Sequence, residues 1–267
     1  MLDKLGLPKS TYYRYAGGKS PKPDRWSDVR PLVRGIFSRT PNGMGYRQVA
    51  MALKAEHGLC ISGKTVLKLM REEGLRCRIR RKRYDSYRSE QGKVAENILD
   101  RDFGAQAPMT KLATDVTEFK VAGGKAYLSP VMDLYNNEIV AWSVTRSPKF
   151  AQAMEMLDGL GPRLEGPALL HSDQGWQYQQ LAYQRRLEEM GITQSMSRKA
   201  TCLDNACMEG FFGHMKDEFY RGREFDSFDS FKDQLNDYIV YWNTRRYQAR
   251  LKGMAPVQYR SHSMRAA

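Results

Sequence analysis

Long apolar runs are missing from this chain of 267 residues. No stretch approaches the roughly 20 consecutive apolar residues that a membrane span requires. No apolar signal core follows the opening Met1-Leu2-Asp3-Lys4, so an intracellular protein is expected. Cysteine and histidine are scarce, four of each. Cys60, Cys77, Cys202 and Cys207 lack paired short spacings and form no set with the histidines, which argues against a structural zinc and for reduced thiols. Internal repeats and low-complexity tracts are also missing. Hydrophobic residues make up 41% of the chain, enough to bury a core, and the length suits one large domain with one or two smaller ones.

Positive charge is in excess, and it is unevenly placed. The formal net charge is +13; residues 1–107 hold 23 Lys/Arg against 11 Asp/Glu, whereas residues 108–267 hold 20 against 19. A basic front joined to a nearly neutral remainder suggests a polyanion-binding module attached to a part with another task. A merely solvated basic surface is the alternative.

Residues 1–28 are polar and punctuated by Gly17-Gly18, Pro21 and Pro23, which predicts a small helix from Lys9 to Tyr15 and then a linker. Across 29–75 the apolar residues recur with helical period: Val29, Leu32, Val33 and Ile36, then Val49, Ala50 and Leu53, then Val66, Leu69 and Met70. Three short helices follow from this. Ser62 can cap the last and Gly74 can end it, leaving Lys64, Lys68 and Arg71 on its polar side, a helix-turn-helix-like arrangement suited to DNA. Residues 76–107 form a basic linker in which Arg76, Arg78, Arg80, Arg81, Lys82 and Arg83, with Tyr84 and Tyr87 interleaved, can neutralise phosphates. A flexible solvated linker is the competing possibility, and the two are compatible if it orders on DNA.

After Pro108 the period switches to two. Leu112, Thr114, Val116 and Glu118 alternate with Ala113, Asp115, Thr117 and Phe119; Gly123-Gly124 turns the chain into a strand from Ala126 to Leu134, and Asn136-Asn137 into another from Ile139 to Thr145. A helix at 150–160, a strand at 168–172, a helix at 179–190 and a strand at 192–196 complete an α/β pattern with five strands. Such an order implies a mixed sheet with flanking helices. Residues 203–220 and 228–242 read as helices, and 244–267 as a polar, basic tail. The expected divisions are 1–28, 29–75, 76–107, a core at 108–225, and a C-terminal helix and tail at 226–267.

Three acids stand out: Asp115 in Ala113-Thr114-Asp115-Val116-Thr117, Asp173 in His171-Ser172-Asp173-Gln174-Gly175, and Glu209 in Asp204-Asn205-Ala206-Cys207-Met208-Glu209. Phosphodiester chemistry needs an activated oxygen, a stabilised leaving oxygen and relief of negative charge, which two divalent ions roughly 3.5–4 Å apart supply. Carboxylates are the hard oxygen ligands for Mg²⁺ or Mn²⁺. Asp115 is expected in mid-strand and Asp173 just beyond a strand's end. On the helix, Asn205, Glu209 and Lys216 share one face while Met208, Phe212, Met215 and Phe219 form a packing stripe. Asn205 could position substrate or water, and Lys216 could meet a phosphate. His171 either supports the acids or is a satisfied strand-end histidine. Trp142, Tyr178, Phe211, Phe212, Phe219, Tyr238 and Trp242 are expected in the core.

These words resemble the frame-B transposases of the insertion-sequence-three family, in the retroviral-integrase superfamily. The resemblance spans nearly the whole chain. It runs through Ser10-Thr11-Tyr12-Tyr13-Arg14, Gly45-Tyr46-Arg47 and Val66 to Leu75, then Thr114 to Thr117, His171 to Gly175 with Tyr178, Ser197-Arg198, and Asp204-Asn205-Ala206 with Glu209, Phe211-Phe212 and Lys216. It continues through Tyr241, Asn243, Arg246, Leu251, Pro256 and Tyr259, with 35 residues between Asp173 and Glu209. Leu112, Gly210 and Gln248 stand where the family usually has Trp, Ser and His. The resemblance implies a ribonuclease H-like catalytic domain behind a small all-α domain, with Asp115, Asp173 and Glu209 as ligands of two Mg²⁺ or Mn²⁺ ions. It implies a transposase that hydrolyses DNA at its terminal repeats to free a 3′-OH and joins that hydroxyl to target DNA. A homo-oligomer on DNA, a frame-A protein or frameshift fusion as partner, and a cytoplasmic, nucleoid-associated location go with it. A metal-dependent nuclease on the same fold and a non-catalytic DNA-binding regulator are the competing readings.

If the basic front binds DNA through phosphates, the logarithm of the affinity falls linearly with the logarithm of salt concentration. Fluorescence anisotropy with labelled duplex measures this, and a flat response would assign the charge to solvated surface.

Overall fold

The computed structural model describes residues 12–13, 24–78, 94–198 and 202–266. Of the expected N-terminal helix only Tyr12 and Tyr13 fall among them, in helical conformation; the remainder of that segment, and Arg80, Arg81, Lys82 and Arg83, lie outside the described residues.

The front domain comprises α1 (Val29–Phe37), α2 (Tyr46–His57) and α3 (Gly63–Glu72). Their apolar stripes meet in one cluster that includes Val33, Ile36, Val49, Leu53, Val66 and Leu69. Gly58 ends α2 with φ +67°, a left-handed conformation that glycine adopts without a Cβ penalty. Ser62 caps α3 as expected, its Oγ accepting from Thr65 N at 3.2 Å. Ion pairs join the helices at the surface: Arg30 reaches Glu72 and Glu73, and Arg39 makes a two-pronged pair with Glu56.

The larger domain is built on a mixed sheet of β1 (Lys111–Thr114), β2 (Thr117–Val121), β3 (Gly124–Asp133), β4 (Glu138–Thr145), β5 (Ala168–Ser172) and β6 (Ile192–Met196). β1 and β2 both pair antiparallel with β3, and in one continuous register: Thr114 lies opposite Val131 and Thr117 opposite Leu128. The six segments therefore occupy five positions, in the order β4, β3, β1 with β2, β5, β6, the last two parallel to β1. This is a ribonuclease H-like sheet. The expected single strand from 112 to 119 is interrupted at Asp115-Val116. That register sets Asp115 opposite Pro130, which has no N–H to give the ladder.

Both faces of the sheet are buried, because successive side chains point to opposite sides. Leu112, Val131 and Leu170 pack with α4 (Phe150–Leu160) and α5 (Leu181–Glu189). Ala113, Phe119, Leu128 and Ile139 pack with α6 (Ala206–Met215) and α7 (Phe228–Thr244). The expected core aromatics Tyr178, Phe211, Phe212, Phe219, Tyr238 and Trp242 are buried, and Trp142 is half-buried.

Three expectations about the helical segments need correction. The 203–220 segment is not one α-helix: a 3-10 turn (Cys202–Asn205) precedes α6 and a π-helical turn (Lys216–Tyr220) follows it. The π-turn is closed by Arg221 N donating to Lys216 O at 2.9 Å. The tail contains α8 (Pro256–Ala266), which the sequence hid because polar groups dock it: Arg260 pairs with buried Asp133 at 2.8 Å, and Asn136 donates to Pro256 O. The expected helix at 179–190 starts late, after a 3-10 turn at Trp176–Gln179.

The front domain sits against the second half of the chain. Tyr241 and Tyr247 pack on its apolar cluster, and the Asn42 amide donates to Asp217 O and Arg221 O of the π-turn. None of the helices among the described residues is long and apolar enough to cross a membrane.

At the edge of the sheet, the Asn243 side chain accepts from Ile139 N and donates to Ile139 O, both at 2.9 Å. It satisfies backbone groups that β3 does not reach. Asn243→Ala leaves both unpaired and should destabilise the chain by about 2 kcal/mol, read by urea denaturation; an unchanged midpoint would contradict this role.

Candidate active site

The site begins with strand register. β1 and β5 run parallel, with Lys111, Leu112 and Ala113 paired to Leu169, Leu170 and His171. Carried two residues further, the same offset sets Asp115 beside Asp173, each one residue past its strand. Asp115 is thus at a strand end and not in mid-strand as expected; the gap opposite Pro130 places it there. Adjacent strands lie about 4.8 Å apart, so the register alone brings the two carboxylates together.

Local hydrogen bonds fix each carboxylate. Asp115 Oδ1 accepts from Val116 N at 2.7 Å, and Asp173 Oδ1 accepts from Gly175 N at 2.8 Å. A Cβ at position 175 would lie 2.6 Å from Gln177 Nε2 and 2.9 Å from Asp173 Oδ1, so a larger residue there would displace the Gln177 amide and press on the Asp173 carboxylate. Glu209 comes from the first turn of α6, where the helix dipole favours a carboxylate. The helix is fastened to the end of β1 by the Asn205 amide, which donates to Thr114 O at 3.2 Å. Asn205, which the sequence offered as a group to position substrate or water, is buried and engaged with the strand.

All three acids are half-buried and hold their protons above the ordinary carboxylate range. Burial is the main cause for each. The charges of Asp173 and Glu209 push Asp115 further up, against the opposing pull of its bond to Val116 N and the positive charge of Lys216. Lys216 leaves the start of the π-turn and extends over Phe119, its Nζ 5.4 Å from the ring centre. Among the described residues, no three His, Cys, Asp or Glu side chains converge closely enough to hold one ion. The structure therefore brings Asp115 and Asp173 together as a pair, with Glu209 near enough to act on Asp115 by its charge but standing back.

Paired carboxylates at a sheet end are a hard, anionic donor set, and each raises its proton affinity when uncompensated. That chemistry fits a divalent cation. A small cleft beside the pair is lined by Val116, Pro148, Lys149 and Gln177 among others.

His171 is a satisfied strand-end histidine. Its Nδ1 and Nε2 face Ser195 Oγ at 2.9 Å and Ser197 Oγ at 3.1 Å, and burial lowers its pKa to about 4, so the ring is neutral. Asp204 has a structural part that the sequence did not announce. Fully buried, it accepts from Arg101, Arg198 and Asn97, and the Arg198 contacts hold its carboxyl far below the usual range. This cluster ties the segment entering α6 to the chain that precedes β1. Lys64, Lys68, Arg71, Arg76 and Arg78 are exposed on and just after α3, away from the core they flank.

Two matches to the integrase core domain family cover residues 105–202 and 209–264, and a match to the HTH-like domain family covers 26–83. The chain is 45% identical over 266 residues to the putative transposase InsK for insertion sequence element IS150 of Escherichia coli K12, covering 98% of this chain and 93% of that protein. It belongs to the IS3-family transposases. Other members give the same result: an uncharacterized transposase-like protein of Haemophilus influenzae is 47% identical over 80% of this chain and 100% of its own length. Transposase InsF for insertion sequence IS3A of Escherichia coli K12 is 32% identical over 87% of this chain and 82% of its own. Asp115 and Asp173 both fall within the first integrase core match, residues 105–202.

A pH test follows from the acid pair. Asp115 binds its proton more tightly in the native than in the unfolded chain, so native stability falls as pH rises from about 4 through the raised native value. Asp115→Asn removes that penalty. In chelator, the variant should melt above wild type at pH 7, and the gap should close below about pH 4; a lower melting temperature at pH 7 would contradict the electrostatics.

Proposed function

We propose that this chain is a metal-dependent transposase that hydrolyses DNA at the ends of an insertion sequence and then transfers the freed 3′-OH to target DNA. The observation that carries this reading is the placement of Asp115 beside Asp173 at the ends of adjacent parallel strands, with Glu209 delivered by the helix that Asn205 fastens to β1.

Asp115 and Asp173 would hold two Mg²⁺ or Mn²⁺ ions, with Glu209 completing the ligand set. When bound, the ions activate the attacking oxygen and stabilise the leaving one. Lys216, whose charge already acts on Asp115, offsets the negative charge of a phosphodiester brought to the pair. In the first step water attacks phosphorus at the element end, and the bridging 3′ oxygen leaves to become the 3′-OH. In the second, that hydroxyl loses its proton and attacks a target phosphodiester, expelling the target's own 3′ oxygen. No exogenous energy source enters, since one phosphodiester replaces another.

The front domain supplies the grip on DNA through Lys64, Lys68 and Arg71 on α3, with Arg76, Arg78 and the basic run Arg80, Arg81, Lys82 and Arg83 beyond it. Two ends must be held together for joining, which calls for more than one copy on DNA. A frame-A protein, separate or fused by frameshifting, would add recognition of the terminal repeats. The work takes place on the bacterial nucleoid.

Purified protein with Mg²⁺ and labelled, pre-cut terminal repeats should join them to target DNA. Asp115→Ala, Asp173→Ala and Glu209→Ala should each reduce joining below detection while DNA binding stays within about twofold, because electrostatic contacts elsewhere supply affinity. Products that are only shortened would favour a nuclease, and joining that survives any one substitution would remove that residue from the site.

A further inference from the structure

A side chain of the front domain is bonded to the turn that carries Lys216. Asn42 lies in the loop between α1 and α2, and its amide donates to Asp217 O at 2.6 Å and to Arg221 O at 2.9 Å, in the π-turn and just after it. Its own carbonyl accepts from Arg78 N at 3.0 Å. One residue thus joins the start of the basic linker, through its backbone, to the catalytic domain, through its side chain.

Both sides of this joint are held. In the loop, Gly43 N donates to Thr40 O and Met44 N to Phe37 O, and Gly43 has φ +75° where a Cβ would run into the Phe37 ring. On the catalytic side, the Tyr220 hydroxyl accepts from Lys120 N at 3.0 Å and donates to Lys120 O at 2.9 Å, which pins the π-turn to β2. Glu218 accepts from the Tyr238 hydroxyl at 2.9 Å and from Arg246 Nη2 at 2.7 Å, which pins it to α7 and the chain beyond. Lys216 then lies over Phe119, a residue of the sheet face on which α6 packs.

Apolar packing by Tyr241 and Tyr247 already docks the front domain, and the Tyr247 hydroxyl donates to Glu56 at 3.3 Å. Asn42 adds a directional contact, placed where the chain departs for the basic run. A protein that grips DNA with one part and cuts it with another needs a fixed distance between them, because a misplacement of about 1 Å can cost about a hundredfold in rate.

We propose that Asn42 is a positioning residue for DNA cleavage and joining, its amide fixing the start of the basic linker against the π-turn so that the phosphodiester presented to the acids lies a set distance from the DNA gripped by the front domain. The inference rests on the transposase reading above.

Asn42→Asp keeps the size of the side chain and the carbonyl that holds Arg78, and turns the donor toward Asp217 O and Arg221 O into an acceptor; Asn42→Ala removes the donor alone. Asn243→Ala, at the sheet edge, controls for lost stability without a change at the joint. In the full chain without DNA, hydrogen exchange in peptides spanning 216–221 should be faster in both Asn42 variants than in wild type. With Mg²⁺ and a labelled duplex carrying the terminal repeat, wild type and Asn243→Ala should cut at one phosphodiester, whereas both Asn42 variants should also cut at its neighbours. Their joining at saturating DNA should fall about tenfold or more, while the DNA affinity of Asn42→Ala stays within about twofold, since phosphate contacts elsewhere supply it. Unchanged exchange at 216–221 would overturn the joint. A single cleavage position at the wild-type rate in either Asn42 variant would overturn its positioning role, as would equal scatter in Asn243→Ala. A wild-type chain that cuts no DNA would overturn the transposase reading and the positioning role with it, while the exchange measurement would still decide whether Asn42 holds the turn.

Discussion

The parallel pairing of β1 with β5 is the constraint on which the site depends. Its register alone sets Asp115 level with Asp173, and a slip of one residue would turn one of them to the opposite face. The register is secured from both sides. Leu112 and Leu170 enter one core, while Ala113 enters the other, so neither strand can slide without exposing apolar surface to one layer and polar groups to the next. The hydrophobic core thereby holds together two like charges that would otherwise separate. Burial raises the proton affinity of both acids, and the charge of Asp173 adds to the effect on Asp115.

The remaining parts of the site are connected to this pair through few contacts. Asn205 joins α6 to the carbonyl of Thr114, one residue before Asp115, and Asp204 gathers Arg101 and Arg198 behind it. At the far end of the helix, the π-turn presents Lys216 toward Asp115, and Glu218 pairs there with buried Arg246, which also lies 4.5 Å over the Trp242 ring. Two carbonyls of the same region accept from Asn42 of the front domain. A continuous path of hydrogen bonds and packed rings thus runs from the DNA-binding helices to the helix that carries Glu209.

Much of this was legible in the residues. Period-two alternation is clear where one face of a strand is exposed, as in β2, whose Glu118 and Lys120 alternate with buried Thr117 and Phe119, and the apolar stripe at 150–160 marks a helix with one buried side. Ser62 and the Met208, Phe212, Met215 and Phe219 stripe did in the fold what their chemistry indicates. The errors share a cause: long-range pairing. Nothing near Asp115 reveals that Pro130 will stand opposite it, so the residues from 112 to 119 alternate as one continuous strand would. Asn205 has the look of a ligand-facing residue on a helical wheel, but its partner is a carbonyl 91 residues away in sequence. α8 leaves no apolar period in the sequence because Arg260 and Asn136 hold it by polar bonds. Asp204 acquires its part only from burial among Arg101, Arg198 and Asn97, which sequence spacing does not encode.

Asp115, Asp173 and Glu209 are proposed to hold divalent metal, which requires Glu209 to move in toward the pair. Anomalous diffraction from crystals of the full chain grown with Mn²⁺ tests this directly. The predicted result is an anomalous peak between the Asp115 and Asp173 carboxylates, with a Glu209 oxygen drawn to within about 2.2 Å of a metal. Anomalous density elsewhere, or density at the pair with Glu209 still remote, would contradict it.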